Sequence, residues 1–275
     1  MNNKSNTINK NTGTIKPVTP QAELLKHSRL DSTLLKGLKI LEYLNQSETR
    51  LGVSNLASAF DLPKSNVHRT LTTLVEAGYV KQDDEGYYFP SLRIWEQGVK
   101  VISRNTLRRA ALPFMHRLYQ EMGETINLIT LDGNDSLYIH QISASVPIRT
   151  SSTVGERAPA ILTVSGKVIL SFQHNYEKNV RAIYAAQKNP KPPFKLSELL
   201  TEMKNIRENH YGMSASTWRK GINSLAGLIT GVDNMPIGAI AVAGAKERFT
   251  EEKMQLAIPS LLNTCTELST ALGAH

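Results

Sequence analysis

Between Leu34 and Pro90 the spacing of the apolar residues changes, and no other feature of the chain constrains its fold as strongly. Leu34, Leu35, Leu38, Leu41 and Tyr43 or Leu44 recur at intervals of three and four, which predicts a helix with one buried face. Asp31 or Ser32 can cap its start. Val53, Leu56, Ala57 and Phe60 repeat the pattern over a shorter run that ends at Asp61-Leu62. Pro63 then suits the first turn of a third helix, where its missing N–H would be unpaired anyway. That helix is expected to reach about Ala77, with Gly78 as its stop. Tyr79 to Gln82 and Tyr87 to Phe89 flank the turn-forming Asp83-Asp84-Glu85-Gly86 and predict a small β-hairpin closed by Pro90. Helix, helix, turn, helix, hairpin is the order of a winged helix-turn-helix.

On the third helix the 3.6 period puts Val67, Leu71, Leu74 and Gly78 on one face and Ser65, Arg69, Thr72 and Glu76 opposite, with Asn66, His68 and Thr73 flanking. Small hydroxyl side chains let a helix backbone approach a major groove, Arg can grip guanine and Asn can bond adenine. The helix start with Lys64 can meet phosphate. A solvated face of a small bundle would show the same pattern. The expected DNA-contacting set is Lys64, Ser65, Asn66, His68, Arg69, Thr72, Thr73 and Lys81. The carboxylates at Asp83, Asp84 and Glu85 would be repelled by phosphate, so the hairpin tip is expected to stand clear of it.

The formal charge of +8 favours a polyanionic partner without naming one. Residues 1–105 hold 14 Lys or Arg against 10 Asp or Glu, a denser charge than in the longer remainder. Met1 to Pro20 are polar and without periodicity, so residues 1–30 are expected to form a flexible tail. That start lacks the apolar region of a secretory signal. No apolar run approaches the roughly 18 residues of a membrane span, so no membrane partner is expected. The single cysteine, Cys265, excludes an internal disulfide framework and a thiolate-cluster metal site. A cytoplasmic protein is expected.

Beyond the hairpin, Leu92 to about Ser103 and Leu107 to Met122 are expected helices in a basic stretch. Thr125 to Leu131 and Ser136 to Ile142 predict strands around Asp132-Gly133-Asn134, and Ile148 to Ser152 a third. Helices are expected at Thr163 to Gln173, Lys178 to Gln187 and Ser197 to Asn209, the last capped by Ser197. Asn223 to Gly231 and Ile237 to Ala245 predict buried strands, and Thr250 starts a closing helix with Met254, Ala257, Ile258, Leu261 and Leu262 inward. The fold class is α+β, with an antiparallel-rich sheet covered by helices.

The chain offers little for catalysis. Ser165-Gly166-Lys167 ends like a phosphate-binding loop, but Ile161 and Val168 stand where that motif needs Gly and a hydroxyl residue. Gly166 is expected to permit close helix packing and Lys167 to be exposed. His116, His140, His174 and His210 are scattered, and His140 is expected to be structural. Cys265 beside the inward stripe of the last helix is expected to be a buried, inert thiol. No catalytic residue, cofactor or metal is expected.

Three stretches carry a resemblance over Leu34 to Leu272: Leu62-Pro63-Lys64-Ser65-Asn66-Val67-His68-Arg69 with Leu74 to Val80; Gly123-Glu124-Thr125-Ile126-Asn127-Leu128; and Gly155-Glu156-Arg157-Ala158-Pro159 with Thr163, Gly166 and Lys167. In these the chain resembles the IclR family of bacterial transcription regulators. The resemblance implies a winged helix over 31–90, a linker helix over 91–106 used in dimerisation, and a GAF-like effector domain over 107–275 that binds a small organic molecule and changes DNA affinity. It implies an operator as partner and a homodimer or dimer of dimers.

The chain departs from the family at the implied pocket. Pro159-Ala160-Ile161-Leu162-Thr163-Val164 has Ile161 where the family usually has His. The segment Gly212 to Trp218, taken as a loop, holds no carboxylate. Ser224 stands where Cys or Ala is common, and Ala241 and Ala243 where small hydroxyl residues often line the pocket. The expected effector-contacting set is Ile161, Thr163, Ser214, Ser216, Trp218, Ser224, Ala241 and Ala243, with Trp218 as an aromatic wall and Arg219 or Lys220 facing a carboxylate or aromatic acid. Packing of Trp218 within its loop and solvation of both cations is the competing reading. Two other classes stay open: a small-molecule-binding module whose winged helix makes protein contacts, and a hydrolase or isomerase in the second domain.

Overall fold

The computed structural model describes residues 30–145, 153–216 and 218–274. The polar amino-terminal segment, with its lysines, and the strand expected at Ile148 to Ser152 lie outside them. The chain divides into two compact units, 1–100 and 101–275.

In the first unit, α1 (Ser32–Gln46), α2 (Val53–Phe60) and α3 (Lys64–Glu76) precede the hairpin of β1 (Val80–Gln82) and β2 (Tyr88–Pro90). Asp31 caps α1, its Oδ1 accepting from the N–H groups of Thr33 and Leu34. The buried face of α1 differs from the expected one: Ile40 and Leu44 enter the core, whereas Leu34 and Leu38 are 61% and 49% exposed. Gly37, where an added Cβ would sit 3.7 Å from Thr70 of α3, marks the contact line. Packing along that line rotates the leucines outward. Phe60, Val67, Leu71, Val80 and Tyr88 complete the core.

Asp61 ends α2 in the left-handed region (φ 50°), and the Leu62 N–H bonds the Ala57 carbonyl at 3.0 Å, a helix stop that re-aims the chain. Pro63 occupies the cap position rather than the first turn, its carbonyl accepting from Asn66 and Val67. α4 (Arg93–Ser103) follows the hairpin.

The second unit holds α5 (Thr106–Met122), β3 (Thr125–Asp132), β4 (Asp135–Ile142), β5 (Arg157–Pro159), α6 (Val164–Ser171), α7 (Tyr176–Ala186), α8 (Leu196–Asn209), β6 (Tyr211–Ala215), β7 (Ile222–Thr230), β8 (Pro236–Ala245) and α9 (Glu251–Ala271). Among the described residues its six strands form an antiparallel sheet in the order β5-β4-β3-β8-β7-β6. The two-residue period divides the strands between two apolar layers. Leu128, Leu225, Ile229, Ile240 and Val242 pack with α5 and α9, whereas Ile129, Ala226, Ala239 and Ala241 pack with α6.

Three local expectations are corrected. Tyr211–Ala215 is an edge strand rather than a loop, paired with β7. A Cβ on Gly212 would come within 2.9 Å of Val164, so close approach of α6 explains a glycine in a strand. The cap of α8 is Lys195, not Ser197, because the Glu198 carboxylate reaches back to accept the Lys195 N–H at 3.0 Å. Lys167 is 2% exposed rather than solvated.

Candidate functional site

The first unit builds a polar helix face from local rules. Val67 and Leu71 are fully buried, which turns Lys64, Ser65, His68, Arg69, Thr72 and Thr73 outward and leaves Asn66 half-buried. The Thr72 and Thr73 hydroxyls donate to the carbonyls of His68 and Arg69, each at 3.0 Å, so their side chains lie close to the helix and keep the face low. Arg69 Nη2 donates to Asn66 Oδ1 at 3.1 Å, which holds the guanidinium over the first turn. No acidic residue stands in that turn, so the partial positive charge of the helix start is left to Lys64 and an incoming anion.

The hairpin tip manages its own charge. Asp83 Oδ1 accepts from the N–H groups of Glu85 and Tyr87 at 3.1 and 2.8 Å, and Arg50 pairs with Glu85 at 2.8 Å and Asp83 at 3.7 Å. Two of the three tip carboxylates are thereby engaged, and Lys81 stays exposed.

In the second unit a cavity lies on the α6 side of the sheet. Asn127, Tyr138, Ile222, Ser224, Ala241 and Ala243 reach it from four strands, Thr163, Val164 and Ser165 from the start of α6, Ser214 from β6, and Trp218 and Arg219 from the segment before β7. The alternation that buries Ala226 and Ala239 against α6 also turns Ser224, Ala241 and Ala243 to that side. Thr163 Oγ1 caps α6 by accepting the Gly166 N–H at 3.1 Å and bonds Ser136 Oγ at 2.7 Å. Gly166 lets this turn close: a Cβ there would lie 2.3 Å from the Ala160 carbonyl oxygen.

Burial raises the Tyr138 phenol pKa, opposed by Arg219 and aided by Glu156, so the cavity holds a neutral hydroxyl. Arg219 is paired with Glu156, whose other oxygen accepts the Thr153 N–H at 3.0 Å. Among the described residues no carboxylate lines this space.

Six of the eight expected effector-contacting residues, Thr163, Ser214, Trp218, Ser224, Ala241 and Ala243, meet at this cavity. Ile161 does not: it is fully buried in the cluster with Leu170, Leu199 and Met203. Ser216, at φ 58°, turns aside with its hydroxyl directed to Asn223. Of the two expected cations, Arg219 lines the cavity and Lys220 is exposed outside it. Asn127, Tyr138, Val164, Ser165 and Ile222 were not singled out from sequence; the period of two on β3 and β4 is the signal that places the first two. His140 and Cys265 lie elsewhere, and no cluster of His, Cys, Asp or Glu suited to a metal ion occurs among the described residues. Among the same residues no helix is long and apolar enough to cross a membrane.

Comparison with known proteins agrees with this layout. The IclR helix-turn-helix domain matches residues 33–84, and the C-terminal domain of bacterial IclR transcriptional regulators matches residues 99–270. The transcriptional repressor AllR of Salmonella typhimurium is 30% identical over 244 residues, covering 87% of this chain and 89% of that protein. The regulator KipR of Bacillus subtilis is 27% identical over 248 residues, covering 88% and 98%. The crystal structure of Thermotoga maritima IclR superposes with a TM-score of 0.71 at 27% identity, over 88% of this chain and 98% of that one. An IclR homologue from Microbacterium hydrocarbonoxydans, solved with 4-hydroxybenzoate, shares the fold at TM-score 0.70 and 20% identity, over 86% and 99%. With a matched helix-turn-helix domain in one unit and a matched C-terminal domain in the other, the chain belongs to the IclR family of bacterial transcription regulators, DNA-binding proteins controlled by small organic molecules.

Proposed function

We propose that α3 enters the major groove of an operator, with Ser65, Asn66, His68, Arg69, Thr72 and Thr73 toward the bases and Lys64 and Lys81 on phosphates. The observation that carries this reading is the division of α3: Val67 and Leu71 are spent on the core, and over its first turns, Lys64 to Thr73, the outer face is polar and cationic, with the exposed Val75 and Glu76 only at its far end and no covering element among the described residues of its unit. A winged helix serving protein contacts would be expected to leave an apolar patch on that face, where Val75 stands alone.

In the same reading an organic acid occupies the cavity lined by Thr163, Ser214, Trp218, Arg219 and Ser224, and the protein works as a homodimer or dimer of dimers. α4 and the residue before it support pairing: Leu92, Trp95 and Val99 recur at helical spacing, and Trp95 is 66% exposed. Two-fold pairing would set the reading helices about 34 Å apart or a multiple of it. An effector acts only by binding one arrangement of the dimer better than another.

The test is binding to an operator selected from random duplexes. Arg69→Ala should cost about 1 to 3 kcal/mol on the selected site and much less on unselected DNA. Equal losses on both would remove Arg69 from base reading, and salt-independent binding would remove the electrostatic footing.

A further inference from the structure

Trp218 Nε1 is the one buried side-chain nitrogen or oxygen among the described residues that lacks a hydrogen-bond partner, and Trp218 lines the cavity between α6 and the sheet. An indole nitrogen only donates, so what is missing is an acceptor. A buried donor left unpaired is destabilising, and such groups are normally satisfied by protein, water or ligand.

The surroundings narrow the acceptor. The start of α6, with no acidic residue in its first turn, directs backbone N–H groups toward this side. Arg219 and the hydroxyls of Thr163, Ser165, Ser214 and Ser224 surround the same space, with no carboxylate among the lining residues described. Arg219 is balanced by Glu156, so what favours an anion here is the partial positive charge of the helix start. Size narrows it further. The free space is about 50 Å³, whereas a cavity that takes up benzene measures about 150 Å³. Val164, Ile222, Ala241 and Ala243 leave an apolar remainder for only a few carbon atoms.

We propose that Trp218 determines the specificity of this cavity, its indole N–H donating to a carboxylate oxygen of a short aliphatic acid. The proposal rests on the cavity being the effector site. Selectivity follows from matching: a ligand without an acceptor oxygen leaves the indole unpaired, and a bulky one forces the Trp218 segment outward.

The experiment uses full-length protein labelled with ¹⁵N at tryptophan and backbone amides. The two indole signals, from Trp95 and Trp218, are assigned with Trp218→Phe, and acetate, propionate, lactate and benzoate are titrated in turn. At least one short acid should move the Trp218 indole proton downfield together with the amides of Ser224 and Ala243, leaving the Trp95 indole in place. Trp218→Phe keeps an aromatic wall, and should weaken that acid about 10-fold or more with unchanged thermal unfolding. A short acid that moves the Ser224 and Ala243 amides but not the indole overturns the proposal and leaves the effector site standing. Occupancy by benzoate alone, or by none of the four acids, also overturns it. The operator measurement with Arg69→Ala uses no acid and judges the functional reading separately.

Discussion

Lys167 and Glu202 form a bidentate ion pair between α6 and α8, with Nζ 2.9 and 2.7 Å from the two carboxylate oxygens and 4.8 Å from the centre of the Phe194 ring. The lysine side chain is 3% exposed and the glutamate 36%. The ammonium is thus taken out of water and compensated from one side by charge and from another by an aromatic face. Glu202→Gln, which leaves the buried ammonium facing a neutral amide, should lower the unfolding free energy by about 2 kcal/mol. Adding Lys167→Met should recover most of that loss. Urea unfolding of the three variants checks both outcomes, and additive losses would contradict the pairing.

Two glycines on helices should answer oppositely to alanine. At Gly166 the new Cβ would meet the Ala160 carbonyl oxygen at 2.3 Å and Ser136 Oγ at 2.5 Å, and backbone cannot yield by the required distance. Gly166→Ala is expected to cost roughly 3 kcal/mol or more. At Gly98, inside α4, nothing lies within 4 Å, so Gly98→Ala should be neutral or stabilise by up to about 1 kcal/mol through helix propensity. Thermal unfolding of both variants decides this.

His140 should make the second unit acid-sensitive. Its pKa is lowered by burial, then by the positive charges of Arg108 and His116. A histidine whose folded pKa is depressed adds stability above its unfolded value of 6.5, and that stability is lost as pH falls through the folded value. Urea midpoints at pH 7.5 and 5.5 should therefore differ more in the wild type than in His140→Gln. Parallel pH profiles would exclude His140 as the cause.

Cys265 should be chemically silent in the folded protein. Burial pushes its thiol from 9.0 up to about 12, against the lowering effect of a backbone hydrogen bond from Ile240. At pH 8 the thiolate fraction falls ~1000-fold relative to a thiol at the free value, and the nucleophile is the thiolate. Labelling by a disulfide reagent at pH 8 should thus be slower by at least that factor than in urea. The raised pKa also means that stability contributed by the neutral thiol is present below pH 9 and declines as pH rises toward 12.

The helix stops at Asp61 and Gly78, the polar face of α3 and the hairpin around Asp83 to Gly86 follow from residues within one or two turns of each other. Those parts were legible because a 3.6 period, a left-handed residue and a turn are local properties. Likewise, the turn residues Asp233 to Pro236 between two apolar runs announced the buried strands β7 and β8. The local pattern could not tell which leucines of α1 face inward, since only the approach of α3 along Gly37 turns Leu34 and Leu38 out. Nor could it show Tyr211–Ala215 as a strand, because its pairing partner and the helix pressing on Gly212 are supplied by other parts of the chain. Lys167 looked solvated until Glu202 and Phe194, 35 and 27 residues away in sequence, met it. The sequence by itself thus determined the polar face of α3 and the kind of fold. Only the tertiary structure decided what the cavity contains, sending Ile161 and Ser216 away from it and bringing Asn127, Tyr138 and the unpaired Trp218 indole to it, because a cavity is made of side chains whose common surface exists only once distant strands and helices have packed.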